Sequence, residues 1–136
     1  MTNRDVYAGA LSLTGDGVFS EAADLESRAV VLIPMITASL APLDRIVKKH
    51  KGDEYASEEF PTSVAREQAW EPYCSLEAEW PLEPEFYACA AHYLAASLMA
   101  YEDGELAEYL SARADVLRAL LEESIPAHVK PMGKTK

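Results

Sequence analysis

The chain has 136 residues, 49% hydrophobic and 26% charged, with 12 basic against 23 acidic side chains and a formal net charge of −11. A length of about 100 to 200 residues is the usual extent of one domain, so one core is expected, and the ordinary apolar fraction argues against disorder throughout. The acidic balance excludes a face wrapped tightly on nucleic acid, because phosphate affinity comes from clustered Lys and Arg releasing counterions; an acidic wall past which DNA slides stays open.

The longest apolar run, Ala29 to Met35, is interrupted at Pro34 and falls short of the roughly 18 residues a membrane span requires. The opening Met1 to Asp5 leads into an amphipathic segment, not into the apolar core and cleavage site of a secretory signal. A cytoplasmic protein with Cys74 and Cys89 as free thiols is therefore expected.

Thr2 or Asn3 is placed to cap a first helix, in which Val6, Ala10 and Leu13 recur at helical spacing beside Tyr7 and Leu11, and Gly15 and Gly17 end it. Ser20 opens a second helix with Glu21 and Asp24 in its first turn. Its apolar stripe runs Leu25, Ala29, Leu32, Ile33, Ile36, Leu40, Leu43, Ile46 and Val47, and Lys48, Lys49, His50 and Lys51 close it before Gly52. Pro34 and Pro42 each lack an N–H and crowd the carbonyl four residues earlier, so this helix is either kinked or split near Ser39.

Gly52 to Pro81 is rich in Glu, Pro and aromatics and keeps neither helical nor alternating periodicity, which predicts an irregular arm with room for short strands around Tyr73 to Leu76. Its rings, Tyr55, Phe60, Trp70, Tyr73 and Trp80, are candidates for contact with a partner or for covering the protein's own core. Pro84 stands in the first turn of a third helix, apolar nearly all round and hence central and buried, where Ala88, Ala91, Ala95 and Ser97 permit close approach. Asp103-Gly104 breaks the chain before a fourth helix from Glu105, with Leu106, Tyr109, Leu110, Arg113, Leu117, Leu120 and Leu121 on one face. So short a turn makes the last two helices an antiparallel hairpin. The expected architecture is all-α: a bundle of about four helices over residues 1–125, an arm at 52–81, and a flexible basic tail at 126–136 whose Lys130 and Lys134 are further candidate contacts.

No convergent chemistry is visible. His50, His92 and His128 lack the Glu-x-x-His of dimetal bundles and the His-Glu-x-x-His of zinc enzymes. Cys89 and His92, three apart, supply two ligands, with Cys74 a conceivable third, fewer than a closed tetrahedral site needs. A Cys-His nucleophile requires a lowered thiol pKa and an open pocket, for which an Ala-rich helix is a poor setting. No nucleotide fingerprint or nucleophile elbow is present, so neither catalytic residues nor a cofactor is expected.

Two segments carry a resemblance. Met1, Thr2, Asn3, Arg4, Asp5, Val6, Tyr7, Ala10, Leu11, Leu13 and Gly15, in that order, resemble the start of the small head-to-tail connector proteins of tailed bacteriophages and prophages. So do Pro81, Leu82 and Phe86, then Ala90, Ala91, Tyr93, Leu94, Ala95, Ala96 and Leu98, followed by Glu102, Asp103, Leu106, Tyr109, Leu117 and Leu120. Pro34, Pro42 and the arm from Gly52 to Trp80 lie outside the match. The resemblance implies a helical hairpin with an Ala-rich first arm, and a structural protein without catalytic residues. Its subunits form a homo-oligomeric ring below the portal, join it to tail and neck proteins, and let DNA pass through the lumen. The implied location is the virion neck, with the host cytoplasm during assembly and no membrane partner. Two other classes compete: a small intracellular metal-binding enzyme or sensor using Cys89 and His92, and a helix-bundle adaptor that binds a host protein through the Trp70 to Trp80 arm.

Overall fold

The first helix begins where backbone donors find acceptors outside it. The computed structural model describes residues 1–14, 22–50 and 75–124, and its first element is α1 (Asn3–Thr14). Four N–H groups at a helix start have no intrahelical partner. Here the Asp5 carboxylate reaches back to the Thr2 N–H at 2.8 Å. The Asn3 and Arg4 N–H groups bond the carbonyls of Ala78 and Leu76 at 3.0 and 2.7 Å, and that of Asp5 bonds the Thr2 carbonyl at 3.0 Å. The capping expected of Thr2 or Asn3 is thus largely supplied by the stretch that returns from the arm. Trp80 N–H closes this seam on the Met1 carbonyl, and the Asn3 amide donates to the Ser75 carbonyl at 2.9 Å. A single isolated bridge, Thr2 to Glu79, is the only β pairing among the described residues, so Ser75 and Leu76 belong to no strand.

Helix α2 (Ala22–His50) is one uninterrupted helix with Pro34 and Pro42 inside it, which removes the split at Ser39 from the two readings. Its core stripe follows the expected spacing: Leu25, Ala29, Ile33, Leu40, Leu43 and Val47 are buried, with Leu32, Ile36 and Ile46 packed beside them. An 18-residue window within Ala23–Lys48 has a mean hydropathy of 1.7, so by length and composition this helix could cross a membrane. That corrects the expectation drawn from unbroken apolar runs, because Pro34, Thr37, Ser39 and Pro42 interrupt such a run without introducing charge. A core helix passes the same test, and 44% of the window is buried inside the fold.

A 3-10 turn at Pro84–Phe86 leads into α3 (Tyr87–Met99). Helix α3 is the hub, packed against α1, α2 and α4 (Gly104–Glu123). Cys89, Ala90, Ala91, Leu94, Ala95, Ala96, Leu98 and Met99 are all buried, as its unpatterned apolar sequence predicts. Of the small residues expected at close approaches, Ala91 and Ala95 are buried whereas Ala88 faces solvent. Asp103 does not merely break the chain: its Oδ1 accepts the Leu106 N–H at 3.1 Å, and Gly104 is the first residue of α4. The architecture is the all-α bundle with a central antiparallel hairpin. The glycines at 15 and 17, the arm from Gly52 to Cys74 and the tail at 126–136 lie outside the described residues.

The contact of α1 with α3 depends on one missing side chain. A Cβ placed on Gly9 would overlap the Tyr87 hydroxyl and stand 2.8 Å from its Cζ, while that hydroxyl donates to the Asp5 carbonyl at 3.1 Å. Gly9→Ala should gain up to about 1 kcal/mol of helix propensity and lose more by forcing Tyr87 aside, for a net destabilisation of about 1–2 kcal/mol. Chemical denaturation checks the sign, and Tyr87→Phe should not rescue it because the ring itself is too close.

Candidate interaction surfaces

Among the described residues, Cys89 and His92 are held in structural contacts. The Cys89 thiol is buried and donates to the Ala114 carbonyl of α4 at 3.5 Å. Burial pushes its pKa up to about 11, with nearby Arg118 opposing, so the thiolate required of a nucleophile or metal ligand is disfavoured. His92 is hydrogen-bonded through Nδ1 to the Ala88 carbonyl one turn back. Among the described residues no group of three or more His, Cys, Asp or Glu is placed to hold a metal. In a chain carrying Cys74→Ser, Cys89 should resist a maleimide in native buffer and label fully in denaturant, a difference that mass spectrometry reads directly.

Tyr93 on α3 donates to Asp115 Oδ1 on α4 at 2.7 Å. Burial, reinforced by that carboxylate, raises its phenol to about 12. Arg118 of the same helix reaches the Ser39 carbonyl of α2 at 3.3 Å. A second polar tie lies in the core: Asp44 is 4% exposed, accepts the Glu83 N–H at 2.7 Å and pairs with Lys48 at 3.1 Å. Lys48 also donates to the Pro81 carbonyl at 2.7 Å. The end of α2 thereby clasps the stretch that enters α3. Arg4 joins α1 to Glu77 and to Glu26 of α2, an exposed network worth little to stability.

Of the candidate partner contacts, Trp80 is corrected: it is buried in this chain's own core and donates from Nε1 to Thr37 Oγ1 at 3.2 Å. Its ring is large and apolar and its single donor finds an acceptor inside, so nothing of it is left for a partner. Tyr55, Phe60, Trp70, Tyr73, Lys130 and Lys134 lie outside the described residues, as do Cys74 and His128.

Besides Met1 and Tyr101 in the turn between α3 and α4, large exposed apolar side chains occur on two helices. On α4, Tyr109 and Leu120, which the spacing puts on the same face as Leu106 and Leu117, are 63% and 55% exposed, and Val116 between them is 52% exposed. The core side is taken by Leu110 and Ala114, with Leu106, Leu117 and Leu121 packed at its edge. A single neighbour covers only part of a wide apolar stripe, and α4 lies mainly against α3. The second face is on α2, where Val31 and Met35 are 60% and 53% exposed and Pro42 continues the exposed row. The spacing by four and seven that puts Val31, Met35 and Pro42 on one side was legible in the sequence. No family model, curated protein or solved structure matches the chain.

Proposed function

We propose that this protein is a structural subunit of a tailed-phage or prophage head-to-tail connector, which oligomerises into a ring below the portal and lets DNA pass. The observation that carries the reading is the α3–α4 hairpin. Its Ala-rich first arm is the hub of the fold and its second arm is amphipathic, and it holds nearly half of the residues on which the resemblance to connector proteins rests. The net charge of −11 supports the same role, since a lumen traversed by DNA should repel phosphates and not grip them. The partners on this reading are copies of the same chain, the portal, and the tail or neck proteins. The place of action is the virion neck, after assembly in the host cytoplasm.

The test is assembly on the portal of the same phage or prophage. Mixing the purified chain with that portal should give rings on its tail-side face in electron micrographs. A chain that stays monomeric at high concentration and leaves the portal bare would overturn the reading. Stoichiometric zinc or iron in the purified protein would favour the metal-dependent alternative.

A further inference from the structure

Helix α1 is held by a stretch of chain far from it in sequence. The carbonyls of Ala78 and Leu76 take its first N–H groups, that of Ser75 takes the Asn3 amide, and Glu77 takes the Arg4 guanidinium. The Tyr87 hydroxyl donates to the Asp5 carbonyl. Its buried side chains Val6, Tyr7 and Ala10 face a body in which α3 is the main neighbour, while α2, the next element along the chain, is touched far less. The seat is selective, since a helix with a side chain in place of Gly9 would not clear Tyr87. In its bonding α1 is a ligand for residues 75–99, joined to the body by seven residues, 15–21, two of them glycine.

We propose that α1 is exchanged between copies of this chain, the α1 of one copy seating on α3 and the 75–80 stretch of a second; this goes beyond the ring-subunit reading and does not need it. A helix arriving from a second copy meets every one of these partners unchanged, and Glu26, which pairs with Arg4, is supplied by the second copy too. The exchanged and closed forms therefore differ only in whose residues 15–21 lead into the helix. With equal contacts on both sides, the link and the chain concentration decide the balance, which is why exchange of an identical element is a low-cost route to association. A seat behind a short link is filled at an effective concentration on the order of mM, so exchange takes hold as copies are crowded toward that range. Eight peptide steps join Thr14 to Ala22, about 28 Å when fully extended, so donor and acceptor copies must lie side by side.

A disulfide across the bridge of Thr2 with Glu79 reads which copy supplies the helix. The Asn3 to Ala78 and Trp80 to Met1 bonds on either side make this a close antiparallel pair, with Cα atoms about 4.5 Å apart, within disulfide reach. The full chain carrying Cys74→Ser, Thr2→Cys and Glu79→Cys, refolded from urea and oxidised, should give internally bonded monomers when dilute and covalent multimers as its concentration approaches mM. Chains carrying only Thr2→Cys or only Glu79→Cys, refolded together on the Cys74→Ser background, should give a dimer joined through positions 2 and 79. Adding Val6→Asp to the Thr2→Cys chain should cut that product at least about tenfold, because a buried carboxylate opposes seating. Replacing Thr2→Cys by Tyr101→Cys, at a residue 95% exposed, sets the level of chance encounters. A double variant that stays monomeric when crowded, or a 2–79 product no greater than in the Val6→Asp and Tyr101→Cys mixtures, would overturn the exchange. Neither result bears on the connector role, which is read separately on the portal.

Discussion

Trp80→Ala is expected to lower the stability of the fold by about 3–5 kcal/mol, the range for removing a fully enclosed aromatic ring. The ring bonds Thr37 and lines one small cavity together with Val6 of α1, Ile33 and Ile36 of α2 and Ala90 of α3, so it stands where three helices meet. Alanine would enlarge that cavity, which cannot close because each lining side chain belongs to a helix fixed elsewhere. Two milder replacements separate packing from hydrogen bonding. Trp80→Phe keeps most of the apolar volume, and Thr37 keeps its own bond to the Ile33 carbonyl at 2.7 Å, so about 1–2 kcal/mol should be lost. Thr37→Val is the more telling change, since it strands the indole N–H in the core at a cost of about 1–3 kcal/mol despite being nearly isosteric. Urea denaturation followed by circular dichroism ranks the three, and a Trp80→Ala protein as stable as the parent would contradict the burial described here.

Asp44→Ala should cost about 2–4 kcal/mol, because it takes the acceptor from the Glu83 N–H and leaves the partly buried Lys48 ammonium with the Pro81 carbonyl but no counter-charge. Asp44→Asn should cost less, as an amide oxygen can still accept from Glu83. The pH dependence has a definite sign. Burial raises the Asp44 pKa above its ordinary 3.8, outweighing the Glu83 N–H and Lys48, which act to lower it. The folded chain then binds a proton more readily than the unfolded chain between those two pKa values, so the Asp44 contribution improves as pH falls through that window and is least favourable above it. The advantage of the parent over Asp44→Asn should therefore widen as pH drops toward 3.8. Denaturation midpoints of the two proteins across mildly acidic pH measure this, and a gap that narrows would reverse the assignment.

The helices were legible because their signals are local. Apolar spacing placed the first helix against an observed Asn3–Thr14, the second against Ala22–His50, and the hairpin about the Asp103 turn. What escaped is what depends on pairing across the chain. Nothing local shows that Leu76 and Ala78 satisfy the start of α1, a contact between residues more than seventy positions apart. Thr37 and Asp44 read as ordinary interruptions of an apolar stripe, yet each is buried because a donor from the 80–83 stretch meets it. Trp80 sits in an acidic, proline-rich segment whose composition suggests surface, and only the closed seam with α1 turns its ring inward. The exposure of Tyr109 and Leu120 was not legible either: periodicity tells which residues share a helix face, while the number of neighbouring helices decides how much of it is covered.

The position of α3 governs how the molecule opens. Every other helix rests on it, and α1 touches α2 far less than it touches α3, so neither α1, α2 nor α4 keeps a solvent-free wall once α3 departs. The amides of α3 can therefore exchange with solvent only when the whole bundle comes apart. Those at the outer edge of α4 are reachable by fraying alone. The slowest exchange in the protein should thus come from its most alanine-rich segment, where intrinsic helix preference is high and side-chain bulk is least, and where enclosure on three sides supplies the protection.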